Sequence, residues 1–348
     1  MILTTPQCIR VAFAFTFLLL SLTLSAQYNG PESVEFDPDG DRYFVSNTGS
    51  QLISVREQDG GVSTFVSVGS PPYGLELMGD TLFACTDGGV KGYATADGVL
   101  VFDLDLNGTF VNGITTDGAY LYVTDFGAGR IYKVDVAQNT FTTLVPSTGT
   151  QPNGIVWDPV GERLVVVLWG GSVKSFDRES GAATTLVSNT GLASIDGITI
   201  DCLGNFLLAS WSPDRITRYD PAFTTGVNTG ITGLNNPADI DFDHVNNVVC
   251  IPNSGSNTVQ LEEVDCTSGL QEGRSYITKI LPNPTSGLVT FDPPFSATEP
   301  FMVLDTRGLL VAMGNLRPNA QLDLSNLSNG LYTILLTRSA QQFRVVKE

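Results

Sequence analysis

A single histidine and the absence of any CxxC or GxSxG motif leave this chain a narrow catalytic repertoire. Neither a Ser-His-Asp hydrolase nor a histidine-rich metal site can be assembled from His244 alone, which in DFDHVNN reads as a solvated turn residue. Positive charge is scarce as well: 18 Lys and Arg stand against 36 Asp and Glu, a net charge of −18. Such a chain repels phosphate backbones, so nucleic acid is excluded as a partner. Apolar runs of spanning length are missing, and with them any membrane span in the mature chain. Apolar residues spaced for helices are also missing beyond the N-terminus. Cys85, Cys202, Cys250 and Cys266 are scattered without metal-site spacing. A Cys250–Cys266 disulfide and buried free thiols are equal alternatives for them. What an acidic chain of this kind suits is a small molecule, a cation or an extracellular partner.

What is present begins with MILTTPQCIR, one positive charge leading into VAFAFTFLLLSLTL and then SAQ. This is the n-region, h-region and small-residue pattern of a secretory leader, with the cut expected after Ala26. An apolar run of about 14 residues is too short to span a hydrocarbon core that needs roughly 20.

One phrase then recurs six times: ESVEFD from Glu32, YGLELM from Tyr73, NGITTD from Asn112, NGIVWD from Asn153, DGITID from Asp196 and ADIDFD from Ala238. The first residues lie 41, 39, 41, 43 and 42 positions apart. Between them, stretches such as DGAYLYVTDFGAGRIYKVDVAQNTFTTLV alternate β-branched and aromatic residues with polar ones between turn residues, giving about four short strands per repeat. A steady period of this size built from strands predicts a six-bladed β-propeller over residues 27–265, its central channel lined by the recurring phrase. The phrase's Gly suits a place where backbones crowd toward the axis, and its final Asp suits the turn that follows. Blade six stops short near VQLEEVD, so either residues around Tyr28 complete it or it has three strands. Residues 266–278 read as a linker, and 279–348 as a separate small Ig-like β-sandwich, making the whole all-β.

The C-terminal part resembles the sorting domain of the type IX secretion system of Bacteroidetes, through PNPT at Pro282–Thr285, LDTRG at Leu304–Gly308, LDLSNLSNGLY from Leu322 to Tyr332, and the basic-ended FRVVKE. That resemblance implies export by the type IX machinery, with the protein released or held at the cell surface. The propeller resembles the gluconolactonase and senescence-marker-protein family, and more loosely NHL-type propellers, through Glu32 in ESVEFD, Asn153 in PNGIVWD, Asp196 in DGITID and the string ASWSPDRITRYDP. The resemblance implies that Glu32, Asn153 and Asp196 hold one divalent metal, commonly calcium. It also implies a lactonase that holds its substrate with an arginine two residues before the third-blade Asn. Here Phe110 stands there, and the family's long third-blade insertion is missing, so an apolar lactone or ester suits the chain better than a sugar-acid lactone.

Radial symmetry reaches the same site independently. The first letters of the phrase, Glu32, Tyr73, Asn112, Asn153, Asp196 and Ala238, must lie at one height around the channel. Two carboxylates and two amides converging without Lys or Arg would repel or go unpaired unless a cation sits among them. A hard cation with oxygen ligands, of the calcium type, meets that need. If the site is catalytic, Asp196 is the candidate general base, and Asn112 and Tyr73 are the candidate substrate contacts. The alternative is a non-catalytic NHL-like binding propeller on the cell surface, in which Asn-Gly and Asp-Gly serve turns alone. A quinone-dependent redox enzyme fits poorly, since no basic cluster lines the channel. Trp157, Trp169 and Trp211 read mainly as packing between blades, the last two also as candidates for the channel mouth.

Overall fold

Six antiparallel sheets follow one another from Pro31 to Glu263, five of four strands and a last of three, each an up-and-down meander in chain order. The computed structural model describes residues 28–266, 279–292, 299–317, 320–336 and 341–348. The expected leader and all but the first residue of the expected linker lie outside the described residues. Among the described residues there is no helix, and none long and apolar enough to cross a membrane.

The innermost strands are Pro31–Asp37, Leu75–Met78, Val111–Thr116, Pro152–Asp158, Ala193–Ile200 and Asp241–Asp243, so the recurring phrase lines the channel as the period predicts. Second strands carry unbroken apolar runs because both of their faces meet neighbouring blades. In Arg163–Leu168 the five residues after the arginine are all fully buried. Burying each such side chain contributes about 1.5–3 kcal/mol. Outermost strands such as Ala183–Val187 face water and turn polar, ATTLV.

The phrase's glycine is required by contact with the next blade. A Cβ on Gly154 would lie 2.6 Å from the Asp196 carbonyl oxygen, and one on Gly113 would strike that of Asn153. The phrase's aspartate caps the following turn: Asp158 Oδ1 accepts the Val160 and Gly161 amides, while its Oδ2 takes Arg163 Nε at 2.8 Å. Asp37 repeats this with Asp39, Gly40 and Arg42.

Blade six has three strands among the described residues, resolving the two alternatives in favour of the shorter blade. Tyr28 adds no strand there, but it is buried between blades one and six with Val34, Tyr43 and Cys250. The ring closes through backbone bonds from Asp239 N to Glu32 O (2.8 Å) and Val34 N to Asp239 O (3.3 Å), and through Ser33 Oγ to Asp239 Oδ2 at 2.9 Å. Ser33 and Asp239 occupy the two phrase positions where blades two to five have glycine.

The disulfide joins Cys202 to Cys266, correcting the expected Cys250–Cys266 alternative. Cys250 is fully buried among Tyr28, Val34 and Phe36 and stays a free thiol, as does Cys85. The bond ties the turn after blade five's innermost strand to the chain leaving blade six.

The C-terminal residues form a sandwich of a three-stranded and a four-stranded sheet around Val289, Val303, Leu324, Ile334 and Val345. Its PNPT opening is fastened to its last strand. Asn283 Nδ2 donates to Arg344 O at 2.8 Å, Asn283 Oδ1 accepts Val346 N at 2.9 Å, and Thr285 N donates to Val346 O at 2.8 Å.

Candidate functional site

The first phrase residue stands at the channel end of each blade's innermost segment, and in blades two to five the glycine after it packs against the backbone of the next blade. The structure brings Asn153 and Asp196 together: Asn153 Nδ2 donates to Asp196 Oδ1 at 2.7 Å, both side chains being buried. Asn153 Oδ1 has no hydrogen-bond partner. Glu32 is half-buried and close enough to Asp196 to affect its ionisation. Trp211 Nε1, which donates to Pro237 O at 3.1 Å, also lies in hydrogen-bonding reach of Asp196.

Burial dominates the electrostatics here. It pushes the Glu32 carboxyl up to about 7. Asp196 rises well above the usual carboxylate range, through burial first and then the charges of Glu32 and Asp239, against the hydrogen bond from Asn153. Burial likewise raises Asp239 to about 8, against the Ser33 hydrogen bond and with Glu32 and Asp241 adding to it. No basic side chain contributes to these shifts, so an added cation would favour the ionised forms of the group.

Tyr73 stands beside this ring, half-buried, its hydroxyl raised by burial and by Glu32. Asn112 is buried, and its backbone carbonyl accepts Gly74 N at 2.9 Å. Ala238 leaves its place in the ring without a polar side chain. Among the described residues, no group of three or more His, Cys, Asp or Glu side chains is arranged to hold a metal ion. A cation at the axis would therefore need the Asn153 amide oxygen together with Glu32 and Asp196. The orphaned acceptor, the all-oxygen donor set and the unbalanced carboxylates fit a hard cation.

Sequence reasoning missed Asp239 and a second acidic ring. Glu35, Glu76 and Asp241, the fourth letter of the phrase in blades one, two and six, line a small cavity of about 40 Å³ in mid-channel with Thr115 and Thr199. The signal was there, since the fourth letters E, E, T, V, T and D are mostly polar inside otherwise apolar strands. Much of this ring is structural. Asp241 Oδ2 accepts Phe36 N at 3.0 Å, Glu35 Oε1 accepts Leu77 N at 2.9 Å, and Thr115 Oγ1 accepts Trp157 N at 3.1 Å, so each side chain ties two blades together. Burial first, and then the charge of Asp241, push Glu35 and Glu76 well above the usual carboxylate range, and burial takes Asp241 to about 6.

A cavity of about 1460 Å³ opens at the far mouth, between the turns that end the innermost strands and the C-terminal sandwich. There Arg307 Nη1 pairs with Asp39 Oδ2 at 3.1 Å, and Met313 packs on the blade-four cluster of Trp157 and Phe176. His244 lines this cavity, exposed and edge-on to Phe242 at 4.8 Å, as a turn residue. None of the five predicted site residues borders this cavity.

Residues 279–347 match the family described as the secretion system C-terminal sorting domain. The chain is thus exported by the type IX secretion system to the cell surface or beyond. No curated protein matches the chain. Among solved structures it is similar to the calcium-binding protein regucalcin of Agrobacterium tumefaciens, with 19% identity, a TM-score of 0.55, and coverage of 64% of this chain and 81% of that one. A protein assigned to the gluconolactonases gives 15% identity and a TM-score of 0.56, covering 66% and 87%. A protein of unknown function from Bacteroides thetaiotaomicron gives 13% and 0.55, covering 67% and 68%. At these identities the likeness establishes the propeller fold.

Proposed function

We propose that this exported propeller holds one divalent cation of the calcium type at the channel axis and uses the site to hydrolyse an uncharged lactone or ester. The observation that carries the reading is the buried Asn153 Oδ1, which has no partner although its own amide nitrogen is spent on Asp196. Leaving such an acceptor unmet costs about 1–3 kcal/mol, and a cation held also by Glu32 and Asp196 removes that cost. The calcium-binding description of regucalcin, a relative in fold, agrees with this reading.

A bound divalent cation supplies charge that polarises a carbonyl and acidifies a water molecule. The chain's own residues do the rest. Asn153 Nδ2 holds Asp196 in one orientation by its 2.7 Å bond. Asp196, ionised once positive charge is present, accepts the proton of an attacking water, while the Tyr73 hydroxyl and Asn112 amide orient the substrate's oxygens. Phe110 in place of an arginine removes the group that would pair with an anionic substrate.

The second reading, a non-catalytic binding propeller, is favoured by that same Phe110. The two separate in an assay of the exported protein on uncharged esters and lactones with calcium and with EDTA. Hydrolysis that calcium restores and Asp196→Asn abolishes is expected. Calcium binding with no turnover on any of the panel would leave the binding propeller standing instead.

A further inference from the structure

Five aromatic side chains form an unbroken arc at the end of the channel where the innermost strands begin. Tyr73 meets Phe110 at 4.7 Å between ring centroids, Phe110 meets Phe126 at 5.5 Å, Phe126 meets Trp169 at 5.7 Å, and Trp169 meets Trp211 at 5.2 Å. All four contacts are edge-to-face, with interplanar angles of 66° to 82°. Every ring is only half-buried, so each keeps surface available to a ligand.

The fold does not require these rings. Phe126 and Trp169 are the first residues beyond their second strands and Trp211 is the penultimate residue of Phe206–Ser212, and the pairing with the innermost strand puts all three at the same place in blades three, four and five. The equivalent residues of blades one, two and six are Thr48, Asp87 and Ser254. Blades of the same architecture thus form with small polar residues there. The aromatic surface is confined to consecutive blades and stops at blades six and one, where the ring beneath holds Ala238 and Glu32. It is therefore a horseshoe, open on the side of the one half-buried carboxylate of the predicted metal set.

None of the five ring faces is occupied by a Lys or Arg among the described residues; the cations that do lie over rings sit on others, such as Arg178 on Trp157. No cation thus sits on the rings themselves, and the carboxylates below would repel an anionic ligand. Aromatic edges and faces favour apolar rings, and the tip of Trp211 is already engaged with Pro237 O and Asp196, which joins the arc to the axial residues.

We propose that this horseshoe is the ligand wall of the upper mouth, and that it selects uncharged esters or lactones carrying an apolar ring, with the ester group over the gap beside Glu32 and Ala238. The inference rests on the axial-site reading for its chemistry but not for its binding. The test is a titration of the full exported chain with phthalide, an uncharged aryl lactone, followed by calorimetry and tryptophan emission, in calcium and in EDTA. Trp169→Thr and Phe126→Thr install the residue that blade one already tolerates, and circular dichroism checks that each folds. The expected result is saturable binding that perturbs emission and weakens about tenfold in each variant, a loss equivalent to about 1.4 kcal/mol. Phthalide binding in EDTA without any calcium effect would uphold the horseshoe and sink the axial reading. Calcium-dependent turnover of small aliphatic esters, with phthalide affinity absent or unchanged in both variants, would overturn the horseshoe alone. Stronger binding of gluconolactone or of a neutral oligosaccharide than of phthalide would overturn it too.

Discussion

Asn153 and Asp196, 43 residues apart in sequence, are joined side chain to side chain at 2.7 Å across two blades, and the bond leaves the asparagine's own oxygen without a partner. A donor and an acceptor on one amide are thus treated oppositely by the fold. The acceptor's freedom has a measurable consequence. Asn153→Leu should abolish stabilisation by calcium and change stability in EDTA little, because the unmet acceptor it removes offsets the Asp196 oxygen it leaves without a donor. Asn153→Asp should lower the melting temperature in EDTA, by adding a buried like charge, and enlarge the shift that calcium produces. Differential scanning fluorimetry of the two variants checks both directions.

The pH dependence of the metal-free protein follows from the raised carboxyls. Glu32 at about 7, Asp239 at about 8 and Asp241 at about 6 keep protons in the folded state that an unfolded chain, titrating near 4, has already lost. Between those limits the folded state binds more protons, so stability falls as pH rises. The contribution is fully present below pH 4 and gone above about 8. In EDTA the melting temperature should drop steadily from pH 5 to pH 8. Added calcium should flatten that slope, since the cation takes over from the protons. A melting temperature in EDTA that rises over this window would contradict the assignment.

The Cys202–Cys266 bond closes a loop of 64 residues that holds the outer three strands of blade five and all of blade six's. Cross-linking of that length removes enough unfolded-state entropy to contribute about 4 kcal/mol. Cys202→Ser should lower the stability of the exported protein by that order in urea unfolding. Thiol labelling of the denatured, unreduced chain should mark Cys85 and Cys250 and leave Cys202 and Cys266 untouched; label on Cys202 would refute the pairing.

Gly154→Ala places a methyl 2.6 Å from the backbone carbonyl of Asp196, which cannot move without shifting blade five. Overpacking of this kind costs about 1–3 kcal/mol. The variant should also weaken calcium binding, because the same displacement moves Asp196. By contrast, Gly170→Ala, with nothing near the added carbon, should leave both properties close to wild type.

How much of this could be read beforehand depends on what each residue answers to. The phrase glycines and turn aspartates answer to constraints that repeat every blade, so Gly113, Gly154, Asp37 and Asp158 were legible from the period. Glu32, Asn153 and Asp196 were legible as departures from it, being first letters that vary where the fold is indifferent. Asp239 was hidden because it stands in a glycine's place, and Glu35, Glu76 and Asp241 because the constant Gly and the variable first letter drew the eye from the fourth. The disulfide could not be read, since which cysteine faces Cys266 depends on how blade six closes against blade five. The aromatic horseshoe escaped for a related reason. Phe110, Phe126, Trp169 and Trp211 lie 16, 43 and 42 positions apart, and only the radial arrangement makes them neighbours.

Calcium titration of the exported protein by isothermal calorimetry, beside the double variant Glu32→Gln, Asp196→Asn, tests the central claim most directly. The account predicts one binding site per chain in the wild type and none in the double variant, with circular dichroism showing both folded. No heat of calcium binding in the wild type, or equal binding in both proteins, would contradict it.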